Sequence, residues 1–63
     1  MYEVEAIQLI DLLRNGQEAE AQALFMAHLL GHCRDIDQMV SECMGRERFS
    51  DDQLWEVFAM AYR

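Results

Sequence analysis

The chain has 63 residues, 52% of them apolar, and a net charge of −7 from twelve acids against five basic residues, all arginine. A chain this short forms one domain, buries only about 60% of its unfolded surface, and usually needs a staple or a partner subunit. The acids are spread along the chain and the only close cations, Arg46 and Arg48, have Glu47 between them, which disfavours a nucleic-acid binder with its basic patch.

Residues 2–14 read as a first helix. Ala6, Leu9, Ile10 and Leu13 fall on one face and Ile7 widens it, while Glu3, Glu5, Gln8, Asp11 and Arg14 face water. The early acids suit the positive end of the helix dipole and Arg14 the negative end. Asn15 and Gly16 both tolerate the left-handed conformation of a C-terminal cap, so the helix stops there. So short a connection folds the next helix back antiparallel.

Residues 17–44 contain no proline and read as one long central helix. Its apolar positions Met26, Leu29, Cys33, Ile36, Val40 and Cys43 alternate three and four apart, the spacing of a coiled-coil-like seam. His28, His32, Asp35, Asp37, Gln38, Ser41 and Glu42 lie between the seam positions. Ala19, Ala21, Ala23 and Ala27 permit close packing of the first helix, and 24–30 is apolar almost all round, which requires cover on two sides. Gly31 costs about 1 kcal/mol against alanine in a helix, and Asp35 with Gln38 could open a new helix as a capping box. A break near 31–35 is the alternative. Continuity is preferred because the seam keeps its phase from Leu29 through Cys33 to Ile36.

Gly45 ends the central helix and 46–49 form a short loop. Ser50 with Gln53 is a second capping box, with Phe49 placed to staple against Leu54. Helix 51–62 then carries Leu54, Val57, Phe58 and Ala61 on one face, with Trp55, Met60 and Tyr62 beyond it. The fold class is all-α: a short helix, a long central helix and a short helix.

A continuous central helix spans about 42 Å. If the first helix covers its beginning and the last covers its end, each level holds only two helices and much apolar surface stays wet. A second copy gives four helices per level, so the expected assembly is a homodimeric helical bundle. Cys33 and Cys43 are about 15 Å apart on one helix, beyond disulfide reach, and read as reduced seam residues. No stretch reaches the roughly 20 apolar residues of a membrane span, and the acidic N-terminus is unlike a signal peptide. A cytosolic protein is expected.

His28 and His32 share a helical face at the spacing of two zinc ligands, with Cys33 adjacent and Asp35 three beyond His32. Leu29 stands where a catalytic zinc motif would place glutamate, and Cys33 points nearly a quarter-turn away. The pair is read as solvated; His28 and His32 are the candidates if a metal is bound, and no cofactor is expected. Ser41 reads as a surface residue and Ser50 as a cap, and no glycine-rich phosphate loop is present. Paired acids such as Glu18 with Glu20, or Asp51 with Asp52, enrich helix N-termini; catalytic carboxylates need a cleft that this chain is too small to offer. It is therefore not read as an enzyme. Met26, Met39, Met44 and Met60 read first as adaptable core filler and second as side chains for a surface that accepts varied partners. Trp55, Phe58 and Tyr62 on the last helix are the candidate partner surface, since aromatics are favoured at the centre of binding patches.

The opening Met1-Tyr2-Glu3-Val4-Glu5-Ala6-Ile7, the run from Ala23 to His32 and the length of 63 residues resemble a small protein family of lambdoid bacteriophages, encoded in the early-expressed stretch between the exonuclease and excisionase genes. The resemblance covers the whole chain but carries no diagnostic motif, and no functional residue is transferred by it. It implies an early accessory factor in the host cytoplasm that shifts the lysis–lysogeny balance toward lytic growth and perturbs the host cell cycle. Two mechanisms follow. One is a dimeric interaction module that binds a host or phage regulatory protein. The other is a DNA-associated transcriptional regulator using a helix-turn-helix-like pair around Gly45 to Ser50. The acidic balance favours the first.

Overall fold

The computed structural model describes residues 3–63 and is all-helical, with three helices of which the central one is long. Helix α1 is Glu3–Arg14, with Glu3 and Glu5 in its first turn and Arg14 in its last. Tyr2, expected to begin this helix, lies outside the described residues. Gly16 closes α1 at φ +79°, where a side chain would be strained, and Gln17 N–H reaches back to the Leu12 carbonyl at 2.9 Å.

The central helix, α2, runs over 18–44 as three consecutive segments, Glu18–Leu24, a π-helical turn Phe25–Leu29, and Leu30–Met44. It passes through Gly31 without a break, and the capping box at Asp35 and Gln38 does not form; the Gln38 amide instead donates to Glu42 at 3.3 Å. The buried positions explain the π turn. Ala21, Phe25 and Leu29 are buried, Cys33 is packed against them, and Asp37 and Ser41 are buried beyond. This row steps by four throughout. Four residues of α-helix turn about 400°, overshooting one revolution by about 40° at each step. A π turn takes more residues per revolution, and here Leu30 N–H bonds to the Phe25 carbonyl, five residues back. The wider turn takes up part of the overshoot and holds Phe25 and Leu29 on the core side.

Gly45 closes α2 at φ +66° and its N–H bonds to the Ser41 carbonyl. Helix α3, Asp51–Tyr62, starts at the expected capping box: Gln53 N–H donates to Ser50 Oγ at 3.2 Å and Ser50 N–H donates to Gln53 Oε1 at 2.8 Å. Two ion pairs give its direction. Arg34 Nε meets Asp51 Oδ1 at 2.9 Å, and Arg63 at the far end pairs with Glu18. So α3 returns antiparallel along α2 from Arg34 back toward Glu18 instead of covering its far end, packing on the start of the Leu30–Met44 segment and also touching α1.

The expectation of two helices at every level is therefore corrected. Three helices enclose a core of Leu9 and Leu13 from α1, Ala21, Phe25 and Leu29 from α2, and Leu54, Trp55 and Ala59 from α3. The second half of α2 projects beyond it, covered on one side by the loop before α3. The molecule is accordingly long, 37 × 22 × 15 Å, and its radius of gyration of 12.0 Å exceeds the roughly 10.6 Å of a compact chain this size. Ile7, expected to widen the buried face of α1, is 61% exposed, and Leu12 is half-buried instead.

The glycine inside α2 and the glycine that closes it respond oppositely to alanine. Gly45→Ala forces a Cβ into the left-handed region and is expected to destabilise by about 1 kcal/mol. Gly31 sits inside α2 with open space where a Cβ would go, so Gly31→Ala gains about 1 kcal/mol of helix propensity. Thermal melts of the two variants should move in opposite directions; shifts of the same sign would refute these backbone assignments.

Candidate protein-docking face

Where α2 leaves the core, Ile36, Met39, Val40 and Met44 are left exposed. An apolar groove of about 330 Å³ runs between this overhang and α3, lined by Cys33, Ile36, Val40, Phe49, Leu54, Val57, Phe58, Ala61 and Tyr62, with Asp37 and Arg46 at its edge. A second depression of about 320 Å³ adjoins it, sharing Phe49 and Val57 and adding Met60, Asp52, Gln53 and Glu56.

An aromatic chain connects the groove's floor to the core. The Phe25 ring lies 5.4 Å from Trp55 and 5.2 Å from Phe58, and Phe58 lies 4.8 Å from Tyr62, which opens onto the groove. Tilted contacts at these distances are favourable for ring quadrupoles.

One wall is held by a polar latch. Asp37 is 6% exposed. Its Oδ1 accepts from Arg46 Nη2 at 2.9 Å and its Oδ2 accepts from Phe49 N–H at 2.9 Å. Arg46 Nη1 also donates to the Glu47 carbonyl at 2.9 Å, and the guanidinium stacks 4.4 Å from the Phe49 ring centroid. Asp37 thus fastens loop 45–50 to α2 and sets Phe49 in the groove wall. Burial pushes the Asp37 pKa up more than any other single influence. The Arg46 and Phe49 hydrogen bonds and the Arg46 charge, with a smaller contribution from the neighbouring Ser41 hydroxyl, together outweigh it and hold the carboxyl below the usual carboxylate range.

The groove unites two sets of residues that the sequence suggested separately. Cys33, Ile36 and Val40, expected in a dimer seam, and Phe58 and Tyr62, expected in a partner surface, line one face. The other expectations need correction. Trp55 is 5% exposed and belongs to the core, so it cannot serve as partner surface. Val57, expected on the buried face of α3, is open. Of the seam, Leu29 is buried and Met26 packs against the core, while Cys43 is exposed and outside the groove lining. The buried row steps by four, which turns the heptad positions Ile36 and Val40 outward. Asp37, placed between the seam positions, and Ser41, read as a surface residue, are the inside residues there. Met39, Met44 and Met60 are all exposed, against the reading of methionine as core filler.

His28 and His32 are both on the surface, and among the described residues no group of three or more His, Cys, Asp or Glu side chains could hold a metal ion. A polar depression of about 640 Å³ beside the latch places Arg34 and Arg48 among Asp35, Asp37, Glu47 and Asp51, so it offers no net cationic site. No helix among the described residues is long and apolar enough to cross a membrane.

The two cysteines differ in environment. Cys33 is half-buried and burial pushes its thiol pKa up; Cys43 is exposed. In dilute native protein, iodoacetamide should label Cys43 at least about tenfold faster, because the thiolate is the nucleophile and access is needed. Peptide mass mapping over time checks this, and equal rates would contradict the placement of Cys33.

Comparison with protein-family models, curated proteins and solved structures finds no match for this chain.

Proposed function

We propose that this protein is a non-catalytic interaction module whose working surface is the open apolar face between the overhang of α2 and α3. The observation that carries the reading is that face itself: a chain this small leaves Ile36, Val40, Phe49, Val57 and Met60 exposed along two adjoining apolar depressions. Large contiguous exposed apolar patches mark sites of protein contact. The resemblance to lambdoid phage early proteins supports a setting in the host cytoplasm, where the module acts with a copy of itself and on a host or phage regulatory protein, favouring lytic development and perturbing the host cell cycle.

The DNA-binding alternative has less support. A helix-turn-helix reader presents the N-terminal residues of its second helix to base edges and phosphates; here that end carries Asp51, Asp52 and Glu56, which repel a polyanion.

The test is a photo-crosslinking residue placed in turn at Val40, Val57 and, as control, Asp11, in phage-infected or induced cells. The reading expects a defined protein adduct at Val40 and Val57 and none at Asp11, lost when Ile36→Asp is added. No adduct at the groove positions, or adducts at all three, would contradict it.

A further inference from the structure

We propose that the occupant of this face, in the isolated protein, is a second copy of the same chain, joined by two-fold symmetry groove to groove. This rests on the reading of the face as a protein contact and names the chain that fills it.

The first support is area. Ile36, Val40, Phe49, Val57, Met60 and Tyr62 are between 39% and 73% exposed and form one surface through the two depressions that share Phe49 and Val57. With ordinary side-chain areas they leave about 430 Å² of largely apolar surface open, approaching the apolar share of the roughly 800 Å² that one partner contributes to a standard interface. That matches the largest apolar patch a monomer normally leaves wet, and such patches are often functional.

Charge is the second support. Two chains of net charge −7 repel unless they meet where the charge is cancelled. The groove lining has only two charged groups, Asp37 and Arg46, and they are paired with each other. Glu42 and Asp35 do not line the groove; Asp52 and Glu56 line the outer depression of the same face and are the acids whose repulsion salt must screen when two copies meet. Met60, 73% exposed beside the groove, is a flexible knob that a two-fold can seat in the partner's groove, and methionine fills irregular gaps well. The third support is shape: the overhang lengthens the molecule to 37 Å against 15 Å in its thinnest direction, and a second overhang laid across it restores a layered bundle cross-section.

The pairing has a salt signature. Screening relieves the repulsion of two acidic chains, so self-association holds or strengthens between 50 mM and 500 mM salt, whereas a basic partner in the same groove would be released.

Sedimentation equilibrium of the intact, untagged chain tests this, alongside Ile36→Asp, Val57→Asp and the control Ile7→Asp, which alters the separate exposed site on α1. Circular dichroism and melting temperature of each variant establish that it is folded. The expected result is a mass of two chains for wild type and Ile7→Asp, with dimerisation weakened about 100-fold or more in the two groove variants. A wild type that stays a 7.4 kDa monomer up to about 100 μM, three decades above a tight dimer's midpoint, overturns the second copy as occupant; adducts in the crosslinking experiment would then still uphold a docking face for another protein. A dimer broken by Ile7→Asp but not by the groove variants overturns it as well.

Discussion

Phe25→Ala is expected to leave most of the protein unfolded at physiological temperature. Phe25 is fully buried where α1, α2 and α3 meet and touches both Trp55 and Phe58. Truncating a buried phenylalanine costs about 3–5 kcal/mol through lost transfer energy and the cavity left behind. A single domain holds about 5–15 kcal/mol in all, and one of this length sits at the low end. Trp55→Ala should cost a similar amount for the same reason. The two losses should add to less than their sum, because the residues share one contact. Denaturant titration of the single and double variants measures this. A Trp55→Ala protein within about 0.5 kcal/mol of wild type would be the signature of a surface residue and would contradict the core described here.

Asp37→Asn is expected to lower the melting temperature at neutral pH by several degrees and to loosen the groove wall. It leaves Arg46 without its carboxylate and weakens the tie on Phe49 N–H. The pH dependence has a definite sign. The folded pKa of Asp37 lies below its ordinary value, so its contribution is fully present above about pH 4, the unfolded value, and is lost as pH falls through the lower folded value. The gap in melting temperature between wild type and Asp37→Asn should be widest at neutral pH and close in strong acid. A gap unchanged from pH 7 to pH 2 would show that the effect is steric and not the ion pair.

The local signals in the sequence were mostly legible because each rests on one or two residues. Gly16 and Gly45 mark helix ends, Ser50 and Gln53 form the box that starts α3, and a central stretch without proline stays helical through Gly31. What the pattern did not reveal was phase. A three–four alternation and a four–four row coexist on α2, and hydrophobicity favours the first because Asp37 and Ser41 occupy the second. Polar residues at inside positions look like solvent positions until their partners are known, and the partners of Asp37 lie nine and twelve residues away, in the loop. The direction of α3 was also hidden, since it is set by how Leu54, Trp55 and Ala59 pack with the chain-distant Leu9, Phe25 and Leu29; the pairs Arg63 with Glu18 and Arg34 with Asp51 only mark it. With α3 laid back along α2, Trp55 faces inward and Ile36, Val40 and Tyr62 line the open groove.

Amide hydrogen exchange along α2, measured on the intact chain at two concentrations, tests the central claim that one half of this helix is buried by its own chain and the other waits for cover. The account predicts strong protection over 21–33 at any concentration, and over 36–44 protection that is at least about tenfold weaker in dilute protein and rises as the protein is concentrated. Uniform, concentration-independent protection from one end of the helix to the other would contradict it.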